Sequence, residues 1–209
     1  MQWFTAAAWG ALVVALTPTH GRALRHWMAA GLALAMAAQL WLLRMEGLLT
    51  LETGLPLHLC GLFGVLSIPL LYTKTPWLYE LSAFLAAPAA LSALAFPAVV
   101  PCRYPTLMLL AFSQLHALVA LSPVSLWRMG KPLPTDPRRA LVLGSGYLLL
   151  ISAFNRATGA NYLFLRSAPA GTPLWTLFAR GGAFYVCSLA LLCMTVFSLL
   201  SNLYGYLRK

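Results

Sequence analysis

The chain has 209 residues, of which 61% are hydrophobic and 9% are charged, and its formal net charge is +10. A soluble globular domain carries about a quarter charged residues, so this composition excludes a soluble enzyme and predicts an integral membrane protein. The Lys and Arg residues are scattered through the connections between apolar runs, whereas a nucleic-acid-binding protein would cluster them on one face, so nucleic acid is excluded as a partner.

Seven apolar runs follow one another along the chain, and each is close to the length of about 17–25 residues that a membrane helix needs. They cover Gln2–Pro18, His26–Leu43, Leu55–Tyr72, Trp77–Phe96, Pro105–Leu126, Ala140–Ala157 and Gly182–Leu203. We therefore predict one all-α domain over residues 1–209, a polytopic integral membrane bundle of seven transmembrane helices.

The orientation of the bundle follows from the Lys and Arg residues in its connections. Nine fall on one side, namely Arg22, Arg25, Lys74, Arg128, Lys131, Arg138, Arg139, Arg208 and Lys209, and five fall on the other, namely Arg44, Arg103, Arg156, Arg166 and Arg180. The positive-inside rule then places the N-terminus outside and the C-terminus in the cytoplasm. We expect the protein in a bacterial cytoplasmic membrane.

Polar side chains are costly inside a membrane and therefore mark candidate sites. His58 and Cys60, in "GLPLHLC", stand at the start of the third predicted span. His116 lies eleven residues into the fifth span, about 16 Å along the helix. Asn155, near the end of the sixth span, is followed by the polar stretch that contains Asn161 and Tyr162. In the predicted orientation all of these residues share the outer half of the membrane.

A Cys–His pair can perform nucleophilic catalysis, with the imidazole as the base for the thiol. His58 and Cys60 point about 200° apart on a helix, so His116 is the better partner for Cys60 and His58 is left a supporting role. Three readings stay open beside this one. Cys60 could be a packing residue, the histidines could be structural groups, and a zinc site of His58, Cys60 and His116 has only a weak H-x-C signal. We predict no metal and no cofactor.

Three short motifs resemble one known family. They are "LPLHLC" at the third span, "YP" opening the helix that carries "QLH" at Gln114–His116, and "NYLFL" within "NRATGANYLFLRSAP" after the sixth span. In this order they are similar to the YwaF-like integral membrane proteins, whose eukaryotic relative is transmembrane protein 164. That relative is regarded as a cysteine-dependent acyltransferase acting on phospholipids.

The resemblance implies a membrane-embedded lipid acyltransferase or acyl hydrolase with membrane lipids as its partners. It implies that Cys60 accepts the acyl group and that His116 is its base. Asn161 and Tyr162 match the family's "NY" and would orient substrate together with Asn155. Arg156 and Arg166 flank the motif and could hold a lipid phosphate or simply lie at the interface. A small-solute transporter or binding protein with the same polar cavity, and a structural subunit, are the alternatives. The sequence leaves the oligomeric state open.

Overall fold

A computed structural model describes residues 2–99, 101–169 and 172–208. Within these ranges the chain is helical and contains no strand. The helices are α1 (Gln2–Met45), α2 (Leu59–Thr73), α3 (Pro76–Leu81), α4 (Ala87–Ala95), α5 (Pro105–Arg128), α6 (Arg138–Thr158), α7 (Pro173–Phe178) and α8 (Gly182–Leu207). The predicted all-α class is confirmed.

Helix α1 combines the first two predicted spans. It is 44 residues long, and His20 alone has non-helical dihedrals inside it, with φ −129° and ψ 33°. The sequence predicted a non-spanning connection between Pro18 and His26, whereas the backbone keeps helical geometry on both sides of His20. Proline removes a backbone donor and bends helices, which accounts for a break rather than a loop just after Pro18.

Five helical segments are long and apolar enough to cross a membrane. They are His20–Met45, Pro76–Ala95, Pro105–Arg128, Arg138–Thr158 and Gly182–Leu207. Two shorter apolar helices, Trp3–Thr17 and Leu59–Thr73, correspond to the first and third predicted spans. A helical integral membrane protein is therefore confirmed, while the count of seven spans and the orientation stay predictions.

The fourth predicted span is a composite of three helical pieces. Helix α3 runs into one π-helical stretch, Ser82–Ala86, which continues as α4. A π turn inserts an extra residue into the helix and rotates the side chains that follow it. Phe84 from this stretch packs against Phe197 and Tyr204 of α8, with ring centroids 5.7 and 5.5 Å apart.

Helix α5 lies at the centre of the bundle, and its closest partner is α1. A Cβ on Gly31 of α1 would come within 2.8 Å of Leu118 Cδ1, so the two helices approach more closely there than a side chain would allow. Gln114 Nε2 donates a hydrogen bond to Gly31 O at 3.1 Å, and Gln39 Nε2 donates one to Ala111 O at 3.3 Å. These two bonds show that α1 and α5 run antiparallel.

Helix α2 completes this central group. A Cβ on Gly64 would come within 2.8 Å of Leu115 Cδ1 of α5 and within 2.9 Å of Met36 Sδ of α1. At the other end of α2, Arg25 Nη1 of α1 donates to Leu71 O at 3.5 Å. Helix α2 therefore runs antiparallel to α1 and parallel to α5. We call the end of the bundle where α2 begins and α6 finishes the Cys60 end, and the opposite end, where α6 begins, the Arg138 end.

Candidate functional site

Cys60 is the second residue of α2, and its side chain is 8% exposed. The helix begins at Leu59, with His58 as its N-cap, which is later than the predicted start near Gly54 and Pro56. Its first backbone hydrogen bond runs from Leu62 N–H to His58 O at 2.9 Å. The N–H groups of residues 59–61 precede that bond, as at any helix start, and have no acceptor among the described residues.

The loop that leads into α2 folds back over the helix start. A Cβ on Gly61 would lie 3.1 Å from Pro56 Cα, which explains why a glycine follows Cys60. His58, at the end of this loop, is enclosed by two aromatic rings, those of Tyr162 at 5.1 Å and Phe164 at 4.9 Å between centroids. Its Nδ1 accepts a hydrogen bond from Leu163 N–H at 3.3 Å, so the neutral ring carries its proton on Nε2.

His116 is buried in the middle of α5, with 7% of its surface exposed. Its Nδ1–H donates a hydrogen bond to Phe112 O at 2.7 Å, which leaves Nε2 as the nitrogen that can accept a proton. Cys60 and His116 lie on two helices that pack together where Gly64 meets Leu115. Cys60 is one helical turn before Gly64 in α2, and His116 directly follows Leu115 in α5. In the described part of the chain the Cys60 thiol has no hydrogen-bond partner.

The segment after α6 is tied to the helix by Asn155, which is 1% exposed. The Asn155 amide makes two hydrogen bonds to the backbone of Tyr162, donating to its carbonyl at 2.8 Å and accepting from its N–H at 2.9 Å. The Tyr162 hydroxyl in turn donates to Leu51 O at 2.9 Å and accepts from Leu55 N–H at 3.1 Å. Burial raises the pKa of Tyr162, so the phenol stays neutral and can donate. Asn155 and Tyr162 therefore hold the loop before α2 against the end of α6.

Asn161 organises the next few residues in the same way. Its amide donates to Ser167 O at 2.8 Å and to Ser167 Oγ at 2.9 Å, and it accepts from Arg166 N–H at 2.9 Å. The side chain closes the segment 161–167 on itself. Contact of Asn155, Asn161 and Tyr162 with substrate stays a prediction, and in this conformation their polar groups bind the chain.

Residues 161–165, which we call the NYLFL turn, have an uncommon backbone. Leu163 and Phe164 are both left-handed, with φ of 58° and 55°. Such conformations cost about 1 to 3 kcal/mol for each residue with a side chain and persist only where the surroundings hold them. Here the surroundings are the His58 imidazole on Leu163 N–H and the Tyr185 hydroxyl of α8, which donates to Phe164 O at 3.0 Å. The turn is therefore held from α2, α6 and α8 at once.

The chain that carries these motifs matches the model of the TMEM164 family over residues 2–201. This protein is a member of the TMEM164 family. The predicted relation to transmembrane protein 164 is confirmed, whereas the narrower YwaF-like label stays a prediction. Comparison with curated proteins and with solved structures gave no match.

Two tyrosines of this TMEM164 family member support the site and were not predicted. Tyr147 of α6 donates to Leu57 O at 2.8 Å, and Tyr185 donates to the NYLFL turn. Each is a phenol within an apolar helix, and a buried phenol needs a hydrogen-bond partner. That requirement was the signal in the sequence that could have identified them.

The two arginines that flank the NYLFL turn lie at the surface of the Cys60 end. Arg156 and Arg166 are both exposed, and Arg166 Nη1 donates to Gly159 O. Among the described residues, no three His, Cys, Asp or Glu side chains are grouped so that they could hold a metal ion.

Proposed function

We propose that this protein is a membrane-embedded lipid acyltransferase or acyl hydrolase that uses Cys60 as its nucleophile and His116 as its base. The observation that carries the proposal is the placement of a buried thiol at the start of α2 beside a helix whose buried imidazole has Nε2 unbonded. Membership of the TMEM164 family supports the same reading through the resemblance of the motifs.

The Cys60 thiol and His116 Nε2 make no hydrogen bond in this conformation, so the reaction would begin when the two groups come into contact and the thiol proton passes to Nε2. The thiolate would add to the carbonyl carbon of a phospholipid ester, and breaking of the C–O bond would release a lysolipid alkoxide, which takes the proton from His116. In the second half an incoming hydroxyl, from a lysolipid or from water, would give its proton to Nε2 and attack the thioester. The C–S bond would break, and the thiolate would recover the proton.

The developing oxyanion needs hydrogen-bond donors near Cys60. The backbone N–H groups of residues 59–61, which make no hydrogen bond within the described ranges, would be the donors, and the partial positive charge of a helix start favours an anion there. Asn161 and Tyr162, the donors that the motif suggested, would have to give up their bonds to Ser167 and Leu51 to take part. The loop 51–58 sets the position of the helix start, so Tyr147, Asn155 and Tyr162 would act as positioning residues through their bonds to that loop and to one another.

Substrate would reach Cys60 at the end of the bundle covered by the NYLFL turn. Arg156 and Arg166 would hold the lipid phosphate, because both are exposed at that end. The turn lies over His58 and is bonded to three helices, so it would have to move for an acyl chain to approach the thiol. The strain at Leu163 and Phe164 lowers the cost of that movement.

The test is release of lysolipid and transfer of label from a phospholipid with a labelled acyl chain, measured on the purified protein in detergent. We expect Cys60→Ala and His116→Gln each to lower turnover by about a hundredfold or more, the usual loss for a nucleophile or a general base. Cys193→Ala is the matched control, because Cys193 is exposed on α8, and it should keep the wild-type rate. Turnover in Cys60→Ala equal to that of the control would refute the proposal.

A further inference from the structure

A shallow, open groove lies on the surface of the protein, between the starts of α3 and α6. It measures about 650 Å³ and is lined by Trp77, Arg138, Arg139, Val142 and Leu143. Seventeen residues of α6 separate Arg138 from Asn155, which is about 26 Å at 1.5 Å per residue. The groove is therefore at the Arg138 end and remote from the candidate site.

The lining of this groove changes from charged to apolar along α6. The two arginines stand at the first turn of the helix, and one turn later Val142 is 70% exposed and Leu143 is 44% exposed. Trp77, at the start of α3, is 44% exposed beside them. Tryptophan favours the boundary between headgroups and acyl chains. The groove thus presents a polar rim, an interfacial ring and an apolar wall in the order in which a phospholipid presents its parts.

Each of the two arginines that line the groove has a carboxylate partner. Arg138 Nε lies 3.9 Å from Asp136 Oδ1, and Arg139 Nη1 lies 3.2 Å from Glu80. The Arg138 side chain is nevertheless 90% exposed, and the Nε and Nη2 of Arg139 have no acceptor in the described part of the chain. Both guanidinium groups can therefore still bind a phosphate.

The balance of charge distinguishes this rim from the rest of the Arg138 end. Arg22, Lys74 and Arg208 lie elsewhere at that end, and none has a carboxylate partner within the ranges described. An anionic headgroup would be attracted to those isolated cations. At the groove it would meet Asp136 and Glu80 as well, whereas a headgroup with one negative and one positive group matches both signs.

We propose that the groove binds one zwitterionic phospholipid. Its phosphate lies on Arg138 and Arg139, its ammonium group on the Asp136 carboxylate, and one acyl chain along Val142 and Leu143. This site does not depend on the proposed acyl transfer, because it is at the opposite end of the bundle from Cys60. It would anchor α6, which is among the least buried of the candidate spans.

The test is native mass spectrometry of the delipidated protein titrated with phosphatidylethanolamine or phosphatidylglycerol. We expect the first phosphatidylethanolamine to bind more tightly than the first phosphatidylglycerol. Arg138→Gln should weaken the binding of phosphatidylethanolamine about fivefold, since one cation at a lipid surface contributes about that factor to the affinity. Asp136→Asn should remove the preference between the two lipids. Arg208→Gln, which removes an exposed cation at the same end, is the matched control and should leave the affinity for phosphatidylethanolamine unchanged.

A second readout locates the bound lipid. At lipid concentrations that saturate both proteins, phosphatidylethanolamine with brominated acyl chains should quench the fluorescence of the wild-type protein more than that of Trp77→Phe. The inference is overturned if phosphatidylglycerol binds more tightly to the wild type, if Arg138→Gln and Arg208→Gln weaken binding equally, or if the quenching is the same without Trp77. Asp136 and Arg138 are exposed, so both variants should keep the wild-type unfolding temperature.

Discussion

Replacing Asn155 by Ala would remove the tie between α6 and the NYLFL turn. The variant loses two hydrogen bonds, of 2.8 and 2.9 Å, and leaves the N–H and the carbonyl of Tyr162 without partners in a buried position. A buried polar group that loses its partner costs about 1 to 3 kcal/mol, so the two together should cost about 2 to 6 kcal/mol. One kcal/mol lowers the unfolding temperature of a chain of this size by about 2 to 4 °C. We expect a fall of at least about 4 °C.

The assay is thermal unfolding of the purified protein in detergent, followed by intrinsic fluorescence at one scan rate. Asn202→Ala is the matched control, because Asn202 is exposed on α8 and its side chain makes no hydrogen bond within the described ranges. Hydrogen exchange gives a local readout, and the backbone of residues 161–167 should exchange faster in Asn155→Ala alone. An unfolding temperature equal to that of Asn202→Ala would refute the claim that this amide holds the turn.

Two further substitutions test the packing and the loop before α2. Gly64→Leu should destabilise the protein by about 1 to 3 kcal/mol through overpacking, because even a Cβ there would lie under 3 Å from side chains of α1 and α5. Gly205 has open space around it, so Gly205→Leu is the control and should show no such loss of unfolding temperature. Tyr162→Phe should speed hydrogen exchange in residues 51–57 about tenfold, since the two hydrogen bonds of the Tyr162 hydroxyl are lost. Tyr206→Phe is the control, because Tyr206 is exposed. Equal exchange rates in the two variants would contradict the claim that Tyr162 holds this loop.

The hydropathy of the sequence was enough to predict the helical class and the approximate position of the long apolar helices, but not the six-residue helix α7. It could not predict the details of the backbone inside them. The chain is helical on both sides of His20, so the connection predicted there is a single break within one long helix. The π stretch at Ser82–Ala86 contains no residue type that would indicate it in the sequence. The π stretch packs against α8 through Phe84, and residue periodicity does not report such a contact.

The motifs identified the residues of the candidate site but not the way in which they are arranged. Leu163 and Phe164 are side chains that rarely adopt left-handed dihedrals, so no local rule predicts them there. Their conformation depends on hydrogen bonds from His58 and Tyr185, which come from distant parts of the sequence. The bonds of Asn155 to the Tyr162 backbone likewise exist only because the chain turns back after α6.

The most direct measurement of the proposed chemistry is the acyl group on Cys60 itself. The protein is incubated with a phospholipid that carries a labelled acyl chain, quenched in acid and digested, and the peptides are analysed by mass spectrometry with and without hydroxylamine, which cleaves thioesters. The proposed function predicts label on the Cys60 peptide that hydroxylamine removes and that is absent from Cys60→Ala. Lysolipid release by a wild-type protein whose Cys60 peptide never carries the acyl group would contradict it.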